Sequence, residues 1–237
     1  MTEKSFADNF DANYAEIREK INLSAEKSGR TAEDVILLAA TKTVSADKIN
    51  YAIEKGISYI GENRVQELLS KDDDINKSAH RHFIGHLQTN KVKDIVPRVE
   101  MIESVDSLRL ATAIGKEAVK CGKTMDILLE INIGEEESKS GFSANEIENA
   151  LEEITKIEGI CVKGIMSIPP VCVNREKQRE YFTQLHKIFV DISRKKLDNS
   201  NIIYLSMGMS QDYDLAIECG ANIVRIGTSL FGARNYF

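Results

Sequence analysis

The chain has 237 residues, a formal net charge of −6, 42% hydrophobic and 29% charged residues, a composition typical of a globular protein with a sizeable core. The negative charge argues against the basic surface with which proteins bind nucleic acids. The polar start MTEKSFADNF is unlike a signal peptide, and the longest apolar run, residues 35–40, is too short to cross a membrane.

The first predicted element is an N-terminal helix. Residues 5–28 carry five apolar side chains at steps of three or four, which places them on one helical face: Phe6, Phe10, Tyr14, Ile17 and Ile21. We expect this helix, within residues 1–30, to pack on the remainder of a single domain that spans residues 1–237.

After this helix, strand segments alternate with helical segments. The predicted strands are short apolar runs at residues 35–41, 57–61, 82–87, 101–105, 126–133, 161–168, 202–208 and 222–228. Each is followed by a helical or helix-like stretch, and the stretch at 44–56 ends on Gly56, a common helix stop. Strands that alternate with helices form parallel sheets.

Eight such units in a chain of this length predict a (β/α)₈ barrel, also called a TIM barrel, which typically has about 250 residues. The structural alternative is a doubly wound open sheet. That fold more often uses five or six strands and a glycine-rich first turn, which is absent from this sequence.

Lys42 directly follows the first predicted strand, where barrels of this class place their chemistry. It shares strand parity with Ile36, Leu38 and Ala40 and therefore leaves the strand on the side of an apolar row. A lysine held against apolar walls loses hydration, which favours the neutral amine that attacks carbonyl groups. The alternative is a lysine that extends from the strand end into water.

The end of the eighth predicted strand carries Arg225, Gly227 and Thr228, and the segment SMGMS at 206–210 ends the seventh. Free backbone N–H groups at such turns bind anions, and barrels commonly hold phosphate after strands seven and eight. Turns needed only for backbone geometry are the alternative. Arg225 lies among apolar neighbours, so it needs a partner: a ligand or a structural carboxylate.

The histidines and cysteines do not predict a metal site. Of the three histidines at 80, 82 and 86, His82 and His86 share strand parity, but a separation of four residues along a strand is too large for joint ligation. The sequence has four widely spaced cysteines without a C-x-x-C pair: Cys121, Cys161, Cys172 and Cys219. This spacing predicts free thiols in a reducing, cytoplasmic setting.

Eight strings at the strand ends resemble the pyridoxal phosphate homeostasis protein family. In chain order they are AATKT (39–43), IGENRVQE (60–67), HFIGHLQTNK (82–91), ESVDS (103–107), INIGEEESKSGF (131–142), KGIMSIPP (163–170), LSMGMSQDYDLAI (205–217) and VRIGTSLFGARNY (224–236). One such string would be weak, but eight in order are specific. The chain departs from the pattern at His86, where many members have proline.

The resemblance implies a barrel related to the N-terminal domain of alanine racemase, with an extra N-terminal helix. It implies that pyridoxal 5′-phosphate (PLP) is the cofactor and that Lys42 holds it as a Schiff base. It further implies that Arg225 lies near the pyridine nitrogen and that Asn63 lines the pocket. Ser206, Gly227 and Thr228 would hold the phosphate.

The same resemblance favours a PLP carrier or buffer over an enzyme with robust catalysis. An arginine beside the ring nitrogen disfavours its protonation and weakens the electron sink on which PLP enzymes depend. The alternative is an amino-acid racemase or lyase, with a second base from Tyr204, Tyr213 or a loop carboxylate. A PLP-independent Schiff-base aldolase is a third possibility.

The expected partners are PLP and apo-enzymes that accept it. Neither nucleic acid nor a membrane is expected. The racemases use a further C-terminal domain to dimerise, so a chain that ends at Phe237 favours a monomer.

Overall fold

The computed structural model describes residues 3–136, 139–170 and 172–232, with side chains from residue 5 onward. Eight parallel strands form a closed barrel in which each strand pairs with its chain neighbours and the last pairs with the first. The strands are β1 (Ile36–Ala40), β2 (Tyr59–Glu62), β3 (His80–Phe83), β4 (Met101–Val105), β5 (Met125–Ile131), β6 (Ile160–Ser167), β7 (Ser200–Met209) and β8 (Ile223–Ile226). The predicted (β/α)₈ barrel is therefore confirmed, and the open sheet is not the fold.

Helices follow the strands in the predicted alternation. They are α1 (Glu3–Lys27), α2 (Ala46–Glu54), α3 (Val65–Lys71), α4 (Val92–Ile95), α5 (Leu108–Lys120), α6 (Ile147–Ile154), α7 (Arg175–Ser193), α8 (Tyr213–Glu218) and α9 (Thr228–Phe231). Short 3₁₀ turns occur at Ala32–Asp34 and Thr89–Lys91. None of the helices in the described part of the chain has the length and apolarity needed to cross a lipid bilayer.

The apolar residues divide into an outer layer between strands and helices and smaller clusters inside the barrel. Leu38, Ala40, Ile84 and Ile223 form one inner cluster, joined at its edge by Ile36. The inner position of the β1 row agrees with the parity argument made for Lys42. Met101, Leu128 and Met166 form a second inner cluster.

The N-terminal helix α1 lies against α8 and α9. Phe6, Phe10, Ile17 and Ile21 are buried on the predicted face. The ring of Phe10 lies 5.8 Å from the ring of Phe231, centroid to centroid. The α1 helix is thus in direct contact with the short helix that begins directly after β8.

Strand β3 begins two residues earlier than predicted and ends at Phe83, well short of residue 87. The cause is a close approach between Gly85 and the end of β2. A Cβ atom at Gly85 would lie 2.1 Å from the carbonyl oxygen of Asn63, so no larger residue fits there. The chain leaves the sheet at this crossing and cannot continue as a strand.

Candidate functional site

A cavity of about 450 Å³ opens at the carboxyl end of the strands. Five of the six residues predicted for the site are among its lining residues: Lys42, Asn63, Arg225, Gly227 and Thr228. They come from β8 and the loops after β1, β2 and β8. Closure of the barrel brings these distant segments together, as the sequence argument required.

Lys42 lies at the start of the loop after β1, beside the inner apolar residue Ala40, and its side chain is half-buried. The next residue, Thr43, has a φ of 65°, which β-branched residues rarely adopt. Its N–H group donates to Glu67 Oε2 at 2.7 Å. The chain therefore turns sharply immediately after Lys42, and this turn is held by a neighbouring side chain.

A buried ion pair also stabilises the loop after β1 that carries Lys42. Lys71 Nζ lies 2.5 Å from Glu62 Oε1 and also donates to the carbonyl oxygens of Thr41 and Val44, each at 3.1 Å. Thr41 Oγ1 donates to the same Glu62 oxygen at 2.7 Å. Burial raises the pKa of Glu62, although Lys71 and Thr41 act in the opposite direction. Lys71 thereby fixes the backbone on both sides of Lys42.

Asn63 follows β2 and points a polar side chain towards the cavity that it lines. Its Oδ1 atom is buried and has no hydrogen-bond partner among the described residues. Buried amide oxygens are normally satisfied. The oxygen of this amide is therefore an unsatisfied acceptor beside the cavity wall.

Arg225 is buried, yet it lines the cavity. Its Nη1 donates to Ser206 Oγ at 2.6 Å, and its Nη2 donates to the carbonyl oxygen of Ser167 at 2.8 Å. Burial lowers the pKa of Arg225, while the nearby carboxylates of Glu103 and Glu130 raise it. The group stays charged at neutral pH, because a guanidinium hardly loses its proton in proteins.

Ser206 does not line the cavity: it is fully buried below it, on β7. Its hydroxyl accepts from Arg225 and donates to Glu103 Oε2 at 2.6 Å. The one hydroxyl proton is committed to Glu103, so it is not available to a phosphate in this arrangement. The predicted phosphate contact of Ser206 stays a prediction, and the structure gives this side chain a different neighbour.

Glu103 and His82 continue, inside the barrel, the hydrogen-bond connection that begins with Arg225 and Ser206. Glu103 Oε1 lies 2.6 Å from His82 Nδ1, and both side chains are buried. Burial acts to raise the pKa of Glu103, but hydrogen bonds from His82 and Ser206 and the charge of Arg225 outweigh it and lower the pKa. An ionised carboxylate only accepts hydrogen bonds, so the proton between the two residues lies on His82 Nδ1.

The turn after β8 offers backbone N–H groups to the cavity. Within the described residues, no hydrogen bond uses the N–H of Gly227 or Thr228. The turn is tied to the loop after β7 because Ser229 N–H donates to Ser210 Oγ and Ser229 Oγ donates to the Ser210 carbonyl, both at 3.3 Å. Two unpaired N–H groups in a fixed turn suit an anion such as phosphate.

The outer wall of the cavity comes from the loops after β6 and β7 and from α7. It includes Ile168, Pro169 and Cys172, and the carboxylate of Asp212. Asp212 Oδ1 accepts from Met209 N–H at 2.7 Å, and Oδ2 accepts from Gln178 Nε2 at 3.3 Å. Burial raises the pKa of Asp212, with the Met209 N–H group opposing it.

The three histidines of the third unit each face a different carboxylate. His80 pairs with Glu100, His82 with Glu103, and His86 Nδ1 lies 3.3 Å from Asp106 Oδ2. His86 borders a shallow depression beside the barrel mouth and is not among the described residues that line the main cavity. His86, at the position where many family members have proline, therefore lies outside the main cavity lining.

Sequence reasoning missed Lys71, Glu103 and His82. Glu103 lies within one of the strings that carry the family resemblance, and the histidine pattern around His82 indicated only a metal site, which its spacing excluded. Ser206, the partner of Glu103, lies 103 residues away along the chain. Inward strand parity of a titratable residue is the sequence signal that could have identified Glu103 and His82. Lys71 lies on helix α3, where this signal does not apply.

Comparison with known proteins points to one family. The family model for the N-terminal domain of alanine racemase matches residues 8–235. A pyridoxal phosphate homeostasis protein of Aquifex aeolicus is 41% identical over 221 residues, covering 93% of this chain and 96% of its own length. A protein of the same name from Pasteurella multocida is 35% identical over 227 residues, with coverage of 94% and 97%.

Solved structures agree with the sequence comparison. An unknown protein from Bifidobacterium adolescentis superimposes with a TM-score of 0.92 at 35% identity and covers 98% of both chains. PipY of Synechococcus elongatus with PLP bound gives a TM-score of 0.78 at 29% identity, over 84% of this chain and 93% of PipY. Alanine racemase of Clostridium difficile, at 17% identity and a TM-score of 0.74 over 97% of this chain and 57% of the racemase, shares the fold.

Proposed function

The chain belongs to the pyridoxal phosphate homeostasis protein family, and we propose that it binds PLP reversibly as an intracellular carrier or buffer of this cofactor. The observation that carries the proposal is the convergence of Lys42, Asn63, Arg225, Gly227 and Thr228 on one cavity. PipY, a structural relative, has been solved with PLP bound.

The residues around the cavity fit PLP in their chemistry. Lys42 supplies an amine for the aldehyde carbon, and its linkage to PLP would be a Schiff base. Arg225 supplies N–H donors for an unprotonated ring nitrogen. The N–H groups of Gly227 and Thr228, which no described residue accepts, suit the phosphate, and Asn63 contributes a polar side chain to the cavity lining.

The cofactor would bring a reactive aldehyde and a ring that accepts electrons. The chain's own residues determine how strongly that ring can draw electrons. Arg225 remains charged and can only donate, so it disfavours a protonated ring nitrogen. A weak electron sink suits storage of the aldehyde better than amino-acid chemistry.

The position of the tyrosines supports the same choice. Tyr204 packs inside the barrel against Met101, Leu128 and Met166. Tyr213 is buried, and its ring faces Lys20. Neither is among the described residues that line the cavity, so neither is placed to act as a second base on a ligand there.

One specific observation, the position of Asp212, favours an enzyme over a carrier. Asp212 is a carboxylate on the cavity wall whose pKa is raised by burial, and carboxylates with raised pKa values often act as general acids or bases in active sites. A racemase or lyase is therefore the second candidate. Turnover of an amino acid that disappears in both Lys42→Ala and Asp212→Asn would favour it over the carrier.

The remaining parts of the proposal concern organisation and setting. We propose that residues 1–237 act as a single PLP-binding barrel domain, with α1 as part of it. A cytoplasmic location is in keeping with the four free thiols. Apo-enzymes as acceptors and a monomeric state complete the proposal; light scattering of the purified protein tests the latter.

The experiment that tests the function is trapping of the bound cofactor. We expect purified protein mixed with PLP to turn yellow, and borohydride reduction to bleach it and leave the pyridoxyl mass on Lys42. Lys42→Ala should remain colourless, whereas Lys93→Ala, which alters an exposed lysine of α4, should behave like the wild type. A colourless wild-type protein, or a label on another lysine, would overturn the proposal.

A further inference from the structure

Inside the barrel, the guanidinium of Arg225 and the carboxylate of Glu103 are connected through the hydroxyl group of Ser206. Arg225 Nη1 lies 2.6 Å from Ser206 Oγ, and Ser206 Oγ lies 2.6 Å from Glu103 Oε2. On its other side Glu103 contacts His82 Nδ1, also at 2.6 Å. These four buried residues, His82, Glu103, Ser206 and Arg225, form one buried hydrogen-bond chain that crosses the barrel from β3 to β8.

The direction of each hydrogen bond in this chain is fixed by chemistry. A guanidinium has no acceptor, so Ser206 must accept from Arg225. The hydroxyl then has its single proton left for Glu103, which accepts at both oxygens. All donors therefore point towards one ionised carboxylate, and reversal of any bond would leave a buried donor or acceptor unpaired.

This arrangement restricts how Arg225 can present itself to the cavity. Its planar group is held at two points, by Ser206 and by the carbonyl oxygen of Ser167. Two of its five N–H groups are thereby used. The rest belong to a side chain that lines the cavity and cannot rotate without breaking a buried contact.

We propose that Glu103, acting through Ser206, is a positioning residue that aims the Arg225 guanidinium at the ring nitrogen of bound PLP. This inference rests on the proposed PLP binding. It assigns Ser206 to the ring end of the ligand, through Arg225, and not to the phosphate end. The negative charge of Glu103 also compensates the buried positive charge of Arg225 inside the barrel.

Ser206 and the turn at Gly227 and Thr228 lie at different places, and this separates the positioning of Arg225 from the binding of phosphate. The phosphate-suited N–H groups belong to Gly227 and Thr228, and both residues line the cavity. Ser206 lies beneath the cavity, level with Ile223 of β8 in the strand register, and is fully buried. A ligand would have to displace Arg225 from Ser206 before its phosphate could reach that hydroxyl.

The deciding experiment measures dissociation constants by equilibrium dialysis for three probes: PLP, pyridoxal without phosphate, and a PLP analogue with carbon in place of the ring nitrogen. We expect Ser206→Ala to weaken PLP and pyridoxal by the same factor, about tenfold. The carbon analogue should bind wild type and variant alike. Weakening confined to PLP, with pyridoxal unchanged, would overturn the inference in favour of a phosphate contact.

A second measurement tests whether Glu103 acts through Ser206. Glu103→Ala should also weaken PLP by about tenfold, and the double variant should lose no more than either single variant. Losses that multiply in the double variant would contradict a common route to Arg225. If Ser206→Ala does not fold, Ser206→Cys serves in its place: the thiol is a weaker donor and acceptor than the hydroxyl, so PLP and pyridoxal should again be weakened by one common factor, smaller than tenfold.

Ser104→Ala is the matched control. Ser104 is a buried serine next to Glu103 on β4, and its hydroxyl donates to the Gly85 carbonyl at 2.5 Å. Its loss should affect the thermal midpoint of the ligand-free protein as Ser206→Ala does and leave the affinity for PLP unchanged. Failure of the wild type to bind PLP would sink the proposed function itself, an outcome distinct from any difference between variants.

Discussion

Lys71 and Glu62 form a buried ion pair, with 11% and 5% of their side chains exposed, that holds the loop carrying Lys42. Loss of one partner of such a pair leaves a buried charge without compensation. We expect Lys71→Met to lower the free energy of unfolding by about 3 kcal/mol. PLP affinity should fall as well, because the backbone on both sides of Lys42 is no longer fixed.

Urea unfolding and PLP titration measure the two effects. Lys120→Met is the matched control, since Lys120 pairs with Glu117 while 70% of its side chain is exposed. An exposed pair contributes little, so that change should stay within about 0.5 kcal/mol. Equal behaviour of the two variants would show that the loop does not depend on Lys71.

Glu130 makes stability depend on pH. Burial, helped by the nearby charge of Asp106, raises the pKa of Glu130 from 4.5 to about 7, although Arg225 opposes the shift. The folded protein therefore binds this proton more tightly than the unfolded chain. The group costs little below its ordinary pKa, and it destabilises the fold increasingly as the pH rises through about 7.

We accordingly expect Glu130→Gln to match the wild type at pH 4.5 and to be more stable at pH 8.5, by up to about 3 kcal/mol. Urea unfolding of the ligand-free proteins across this range gives the comparison. A stability difference that does not change with pH would show that Glu130 has an ordinary pKa in the folded protein.

The fold was predictable because each of its units is encoded locally. Eight apolar runs alternating with helices permit few parallel arrangements, and the structure adopts the barrel. The end of β3 was not predictable, because it depends on the contact between Gly85 and the backbone of Asn63. That contact joins two units and leaves no local pattern.

The residues of the candidate site that line the cavity at the strand ends were predictable from the sequence. The buried residues beneath the cavity were less predictable. Lys42 and Gly227 were predicted because the ends of all eight strands meet at one mouth, and Asn63 was implied by the family resemblance. Ser206 shares that end of its strand, but sequence parity does not report how deep a side chain lies. Glu103 is 103 residues from Ser206 along the chain, so their hydrogen bond has no sequence signature.

Helix α1 is expected to support the phosphate end of the site. Asn13 Nδ2 donates to the carbonyl oxygen of Leu230 at 3.2 Å, on the short helix that starts at Thr228. Loss of that hydrogen bond is worth about 1 kcal/mol. Asn13→Ala should therefore weaken PLP roughly fivefold and leave pyridoxal, which has no phosphate, unaffected.

Asn22→Ala serves as its control, because Asn22 lies on the same helix and bonds only locally, to Glu26 Oε1, among the contacts described. Equilibrium dialysis with both ligands provides the measurement. Equal weakening of PLP and pyridoxal by Asn13→Ala would mean that α1 supports the barrel generally and has no particular effect on the phosphate turn.

The rate of alkylation of Cys172 shows whether a ligand fills the cavity. Cys172 lines the cavity, whereas Cys121 is exposed at the C-terminal end of α5 and is not among the described residues that line the cavity. A ligand bound among Lys42, Arg225 and Thr228 would restrict the approach of an alkylating reagent to the Cys172 thiol. We expect saturating PLP to slow alkylation of Cys172 at least severalfold and to leave Cys121 unchanged, as measured by peptide mass spectrometry over time. In Lys42→Ala the protection should be largely lost, because the proposed reversible attachment to the amine would be the main source of affinity. Protection that persists in this variant would mean that PLP occupies the cavity without Lys42, and alkylation of Cys172 at the same rate with and without PLP would place the ligand elsewhere.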